Sequence, residues 1–269
     1  MFKVWSVVRE AALKVSDYLT SGVRSSAVFK PNASGDFTKA FDKEAEDIIF
    51  GVLRGLGECL LIVSEESGVV KTCGEGWRWV FVVDPVDGSV NYEASIPWVS
   101  VSIAVAPYEE GVTLNDVTYA VVVDVFRKTT YEYVKGEGVL IDGVKPERRV
   151  KPPNVLLGYF ETPEAYSIVP KYWRFRGGRA ALRSLGSAAL DIIYVGLGRA
   201  EAFVDIRAKL RNVDVAAALK IAEALNAKAT LCDGTPVNNI PLTNISKVEC
   251  LLVGYDDAIL SKLIEAYRS

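Results

Sequence analysis

A mixed α+β, α/β layered fold is predicted by three features of this sequence. Its N-terminal segment is amphipathic at helical spacing, short β-forming apolar runs crowd the stretch up to residue 150, and beyond it strand-like and helix-like stretches alternate. Half of the 269 residues are hydrophobic and 24% are charged, which supports a substantial core and excludes a disordered tail, a collagen-like repeat or a disulfide-dense miniprotein.

Val4, Val8, Ala12, Val15 and Leu19 fall on one helical face, so residues 1–20 read as an amphipathic helix that ends near Gly22. The run KPNASGDFT, residues 30–38, collects Pro, Asn, Ser and Gly and reads as an exposed, mobile loop, after which 39–56 resumes a helical pattern. Residues 60–63 and 77–83 are short apolar β-rich runs, each leading into an acidic turn. Residues 99–106, 117–126 and 129–134 read as further strands. Lys151-Pro152-Pro153 is the best linker, dividing the chain into 1–150 and 151–269. Past it, 155–159, 202–204 and 248–253 read as strands, and 187–197, 213–225 and 256–267 as helices.

Lys plus Arg number 31 and Asp plus Glu 34, a net charge of −3, so binding to nucleic-acid phosphates is not expected. Trp77, Trp79, Trp98 and Trp173 lack an interleaved basic stripe and suit core packing or a dimer interface. Residues 1–20 carry Lys3, Arg9, Glu10, Lys14 and Asp17, which break any signal-peptide core, and no run is long and apolar enough to span a bilayer; a cytoplasmic setting is expected. Histidine is absent, which removes the commonest general base and the usual zinc ligand. Cys59, Cys73, Cys232 and Cys250 have no C-x-x-C spacing and are expected as buried thiols, with oxidation of one pair left open.

Chemistry must then come from the acids. FVVDPVDGSVNY, residues 81–92, puts Asp84 and Asp87 at the mouth of a strand. Pro85 and Gly88 bend the chain so that both carboxylates face one ion, with the Val86 carbonyl and the Gly88 and Ser89 amides nearby. An Asx-turn with a helix cap is the structural alternative. LLIVS ends in Glu65-Glu66, where alternation turns one acid inward; a solvated acidic loop is the alternative. Asp214 opens an apolar helix, where simple capping would also explain it. Together these oxygen donors form a candidate site for Mg²⁺ or Mn²⁺ rather than zinc, the setting for phosphate-ester hydrolysis.

From Lys30 to Asp214 the sequence resembles the inositol monophosphatase family. Glu65-Glu66, DPVDGSVN and DVAA match the family's Glu-Glu, Asp-Pro-x-Asp-Gly-Ser/Thr-x-Asn and Asp-x-Ala-Ala pattern in order and distance. LGSAALDIIYVGLGRAEAFVD, residues 185–205, is similar to its substrate-side segment. The resemblance implies the αβαβα sandwich of the sugar-phosphatase superfamily, a homodimer, and hydrolysis of a small phosphorylated metabolite with two or three Mg²⁺ ions. No covalent phosphoenzyme is implied. Most metal ligands would lie in 1–150 and Asp214 in 151–269.

Carried over, Glu65, Asp84 and the Val86 carbonyl would hold one ion. Asp84, Asp87 and Asp214 would hold a second, and Asp36, in the loop with Lys30, a third. Glu65, Ser89 and Asp87 would form the catalytic set, Ser89 and Glu65 orienting the water, and the Gly88 and Ser89 amides would hold the phosphate. Gly186, Ser187 and Ala188 would meet the substrate ring, with a helix start capped by Ser187 as a compatible alternative, and Asp205 its hydroxyls. The longer Asp205-to-Asp214 connection contains Arg207, Lys209 and Arg211; with Arg183 nearby, Arg207 is expected to grip a second phosphate, with solvated surface cations as the alternative. Inositol 1-phosphate and fructose 1,6-bisphosphate are thus the substrates implied. A 3′-phosphoadenosine 5′-phosphate phosphatase, disfavoured by GSVN, and a non-catalytic metal- or phosphate-binding regulator are the alternatives.

Overall fold

The computed structural model describes residues 2–22, 28–31 and 37–269. In chain order its helices are α1 (Phe2–Thr20), α2 (Ala40–Arg54), α3 (Ser89–Glu93), α4 (Pro163–Arg176), α5 (Ala188–Gly196), α6 (Asn212–Ala224) and α7 (Asp257–Arg268). The strands of the first half are β1 (Val28–Pro31), β2 (Phe37–Lys39), β3 (Leu60–Ser64), β4 (Gly68–Lys71), β5 (Trp79–Asp87), β6 (Ser100–Pro107), β7 (Tyr119–Asp124), β8 (Thr129–Val134) and β9 (Gly138–Ile141). Those of the second are β10 (Val155–Gly158), β11 (Ala181–Arg183), β12 (Ala202–Asp205), β13 (Leu210–Arg211), β14 (Lys228–Thr230), β15 (Lys247–Val248) and β16 (Leu251–Gly254).

These elements stack as five layers, α, β, α, β, α, around three cores. The seven-stranded sheet runs β4-β3-β5-β6-β7-β8-β9 and the five-stranded sheet β11-β10-β12-β16-β14. One face of the larger sheet takes Val8, Val15, Ile49 and Leu53 of α1 and α2. Its other face meets α5 and α6, whose far side meets the smaller sheet. Ile168, Tyr172 and Leu263 of α4 and α7 close the outer face of the smaller sheet. Strands buried on both faces need apolar side chains in both directions, which is why β3 reads LLIVS and β7 YAVVVD without polar alternation. The larger sheet draws on residues before 142 and the smaller on residues after 154, yet α6 packs on β5, β6 and β7. The two halves therefore share the central core.

Several expectations change. Residues 248–253 form not one strand but the ends of β15 and β16, in different sheets. Helix α4 has no counterpart in the sequence reading, because Pro170 sits inside it and obscures the pattern; Thr162 as N-cap and Pro163 at its first turn were the available signal. Lys30 lies in β1, which pairs antiparallel with β2 across the ends of the run read as a loop, while Asp36 lies outside the described residues. The cysteines are not thiols. Leu61 pairs with Lys71 and Thr230 with Leu252, so continuing each antiparallel register places Cys59 beside Cys73 and Cys232 beside Cys250. Both pairs are disulfides with Cα atoms 5.5 Å apart. Among the described residues no helix is long and apolar enough to cross a membrane.

Candidate active site

The acids meet because β3 and β5 are parallel neighbours that end at the same sheet edge. Ser64 pairs with Val83, and the Glu65 amide donates to the Val83 carbonyl at 3.2 Å, so Glu65 and Asp84 emerge side by side. The β5–β6 register shifts between Asp84 and Asp87, and this irregularity around Pro85 turns the second carboxylate to the same end. The Val86 amide donates to Asp84 Oδ1 at 3.0 Å. Gly88 follows at φ 95°, and an added Cβ there would lie 2.9 Å from the Trp98 carbonyl oxygen. Only glycine fits that turn. Asp214 arrives from α6, where its Oδ2 accepts from the Arg211 amide at 2.7 Å. The capping alternative is thus realised together with proximity to the other acids.

Asp87 is held by the start of α5. Its Oδ1 accepts from the Ala188 amide at 3.1 Å, and its Oδ2 accepts from the Ala189 amide at 2.9 Å, the Ser100 hydroxyl at 3.0 Å and the Ser187 hydroxyl. Oδ1 keeps a second lone pair for a cation. Asn91 adds a clasp: its Nδ2 donates to the Trp98 carbonyl at 2.8 Å and the Leu185 carbonyl at 2.6 Å, joining the acidic turn to the segment before α5. The sequence reading had Asn91 only as part of the motif.

Electrostatics identify what the site lacks. Burial raises the Glu65 carboxyl well above the usual range, and the charges of Asp214, Glu66 and Asp42 add to it. Asp84 is raised likewise by burial and then by Glu65, Asp87 and Asp214. Burial raises Asp87 as well, against its four donors. Asp42, buried at the start of α2, is pushed up to about 8 by burial and Glu66. Among the described residues no three acidic or cysteine side chains enclose an ion unaided. The donor set nonetheless fits a hard divalent cation, since it is all oxygen and strongly anionic.

Glu65, Asp84, Asp87 and Asp214 floor an open cleft of about 460 Å³ that also takes in Val86, Gly88, Ser89, Asn91, Gly186, Tyr159, Glu161 and Ser184. Other expected substrate contacts fall elsewhere. Ser187 and Ala188 are buried, and they serve Asp87 instead of lining the cleft; of that trio only Gly186 lines it. Asp205 is buried and bonded to Arg207, whose Nη2 donates to its Oδ2 at 2.6 Å, so it is not presented to substrate hydroxyls. Arg207 lines the cleft, but its guanidinium lies over the Tyr159 ring at 3.8 Å and its Nη1 donates to Glu161 at 2.6 Å. Two acids already claim the group expected to grip a second phosphate. Arg183 sits exposed on edge strand β11, outside the cleft lining. Tyr159, Glu161 and Ser184 were missed; Glu161 follows β10 as Glu65 follows β3, and the same strand-into-acid pattern would have found it.

A model of the inositol monophosphatase family matches residues 3–263. An inositol-1-monophosphatase from Aeropyrum pernix is 32% identical over 259 residues, 94% of each chain. A fructose-1,6-bisphosphatase/inositol-1-monophosphatase from Methanothermobacter thermautotrophicus is 34% identical over 210 residues, 76% of this chain and 74% of that one. Among solved structures, a Pyrococcus horikoshii protein with similarities to inositol-1 monophosphatase superposes with a TM-score of 0.79 at 27% identity over 98% of both chains. The matched span contains both sheets and all four convergent acids, Glu65, Asp84, Asp87 and Asp214, and the chain belongs to the inositol monophosphatase family.

Proposed function

We propose that this chain hydrolyses small polyol and sugar phosphate monoesters, inositol 1-phosphate and fructose 1,6-bisphosphate among them, with two or three Mg²⁺ ions, Mn²⁺ substituting. The observation that carries the reading is the convergence of Glu65, Asp84, Asp87 and Asp214 at the ends of β3 and β5 and the start of α6. Glu65, Asp84 and the Val86 carbonyl would hold one ion, and Asp84, Asp87 and Asp214 another. When bound, such ions supply neutralising charge for the phosphate and lower the pKa of water.

The remaining work falls to the chain. Glu65 takes a proton from the attacking water at a carboxylate oxygen. The Ser89 hydroxyl holds that water beside Glu65. The Gly88 and Ser89 amides donate to phosphate oxygens at the turn, and the Asn91 clasp keeps that turn against Gly186. The same reading includes a homodimer in the cytoplasm.

The test is phosphate release from both substrates with and without Mg²⁺, in the wild type and in Asp84→Asn and Asp214→Asn. Release that requires the ion and falls by orders of magnitude in both variants, with melting temperatures kept, is expected. Near-normal turnover in either variant would end the assignment.

A further inference from the structure

The wall of the cleft at Tyr159, Arg207 and Lys209 carries one acid that the acidic floor does not need. Glu161 stands just past the end of β10 with its side chain half in solvent, and lines the cleft. Its Oε2 accepts from Arg207 Nη1 at 2.6 Å and lies 3.8 Å from Lys209 Nζ. No hydrogen bond to Oε1 comes from the described residues. Beneath it, the Arg207 side chain is 8% exposed and fixed from the other side, its amide and guanidinium both donating to Asp205.

We infer that Glu161 is a substrate-selecting residue that receives a hydroxyl of a polyol monophosphate and discriminates against a second phosphate. This rests on the phosphatase reading above and deepens it. A ligand hydroxyl donates to Oε1 without disturbing the pair with Arg207. A second phosphate brings two negative charges to the same wall. It must either displace Glu161 from Arg207 and Lys209 or bind beside an uncompensated carboxylate, and both weaken binding. Asp205 cannot substitute for Glu161, because both its oxygens already accept from Arg207. The acid facing substrate hydroxyls is therefore supplied from β10 rather than from β12.

The experiment compares wild type, Glu161→Gln and Glu161→Asp in Mg²⁺, with KM and kcat for inositol 1-phosphate and fructose 1,6-bisphosphate and the inhibition constant of inorganic phosphate. Glu161→Gln keeps the size of the side chain and removes its charge. Its KM for the bisphosphate is expected to fall roughly three- to fivefold and its KM for inositol 1-phosphate to rise, with phosphate inhibition unchanged. Glu161→Asp, which keeps the charge, is expected to retain the wild-type order of preference. Equal shifts for the two substrates, or none, overturn the inference. If the wild type hydrolyses neither substrate, the phosphatase reading fails. Glu161 is then judged by calorimetric titration with fructose 1,6-bisphosphate and fructose 6-phosphate: a larger affinity gain for the bisphosphate in Glu161→Gln supports the inference, and an unchanged affinity ratio overturns it.

Discussion

Replacing Ser187 by Ala separates the two roles open to the start of α5. In the structure its Oγ accepts from the Leu190 amide at 3.4 Å, donates to Asp87 Oδ2, and lies 3.1 Å from Ser100 Oγ. The cap bond is long, so its loss is set at the low end of the capping range, about 0.5–1 kcal/mol. The bond to a buried carboxylate is charge-assisted and its loss costs about 1.5–3 kcal/mol. Together, about 2–4 kcal/mol of destabilisation lowers the melting temperature by roughly 4–7 °C in a chain of this size. Calorimetry of the metal-free protein reads that shift. The cation requirement should also weaken, in the sense of needing more Mg²⁺ for half-maximal activity, because Asp87 is less firmly aimed. KM for inositol 1-phosphate should hardly move, because the hydroxyl is buried away from the cleft. An unchanged melting temperature together with a several-fold rise in KM would refute this reasoning and return Ser187 to direct substrate contact.

Two further predictions concern stability. Glu65, Asp84, Asp87 and Asp42 all bind protons more tightly folded than unfolded, so the stability of the metal-free protein is fullest below about pH 4 as far as these groups are concerned and is lost as pH rises through their folded values, about 8 for Asp42. For Asp42 alone, at about 1.4 kcal/mol per unit, this amounts to several kcal/mol. Thermal melts from pH 5 to 8.5 should fall without metal and flatten in saturating Mg²⁺; a metal-free melting temperature that rises over that range contradicts it. Reducing the disulfides should destabilise the protein, because they close loops of 14 and 18 residues, each worth about 3 kcal/mol in the chain-entropy account. Melting in excess dithiothreitol, with Cys232→Ser as a second probe, should show a lower midpoint, and an unmoved midpoint would mean that neither bridge matters to stability.

Patterns local in the chain were legible because short-range physics produces them. The spacing of Val4, Val8 and Val15 made α1 readable, and the apolar runs at residues 60–63 and 77–83 announced β3 and β5 together with the acids at their ends. Helix α4 was hidden by Pro170, and residues 248–253 were merged into one strand because apolar content alone does not say which sheet a residue joins. The cysteines show the same boundary. Their spacings of 14 and 18 residues have no local signature, and only antiparallel register makes them neighbours.

By itself the sequence determined the layered class and the oxygen-only chemistry of a chain without histidine, because each follows from residue type and short spacing, while the family resemblance singled out Glu65, Asp84, Asp87 and Asp214. Tertiary structure alone decided where those groups are aimed. Asp205 and Arg207, two residues apart, pair with each other just past β12, whereas only the fold brings Glu161, from the end of β10, onto Arg207 at the wall of the cleft. Pairing energy between opposite charges depends on distance, and distances across different strands are set by packing rather than by sequence separation.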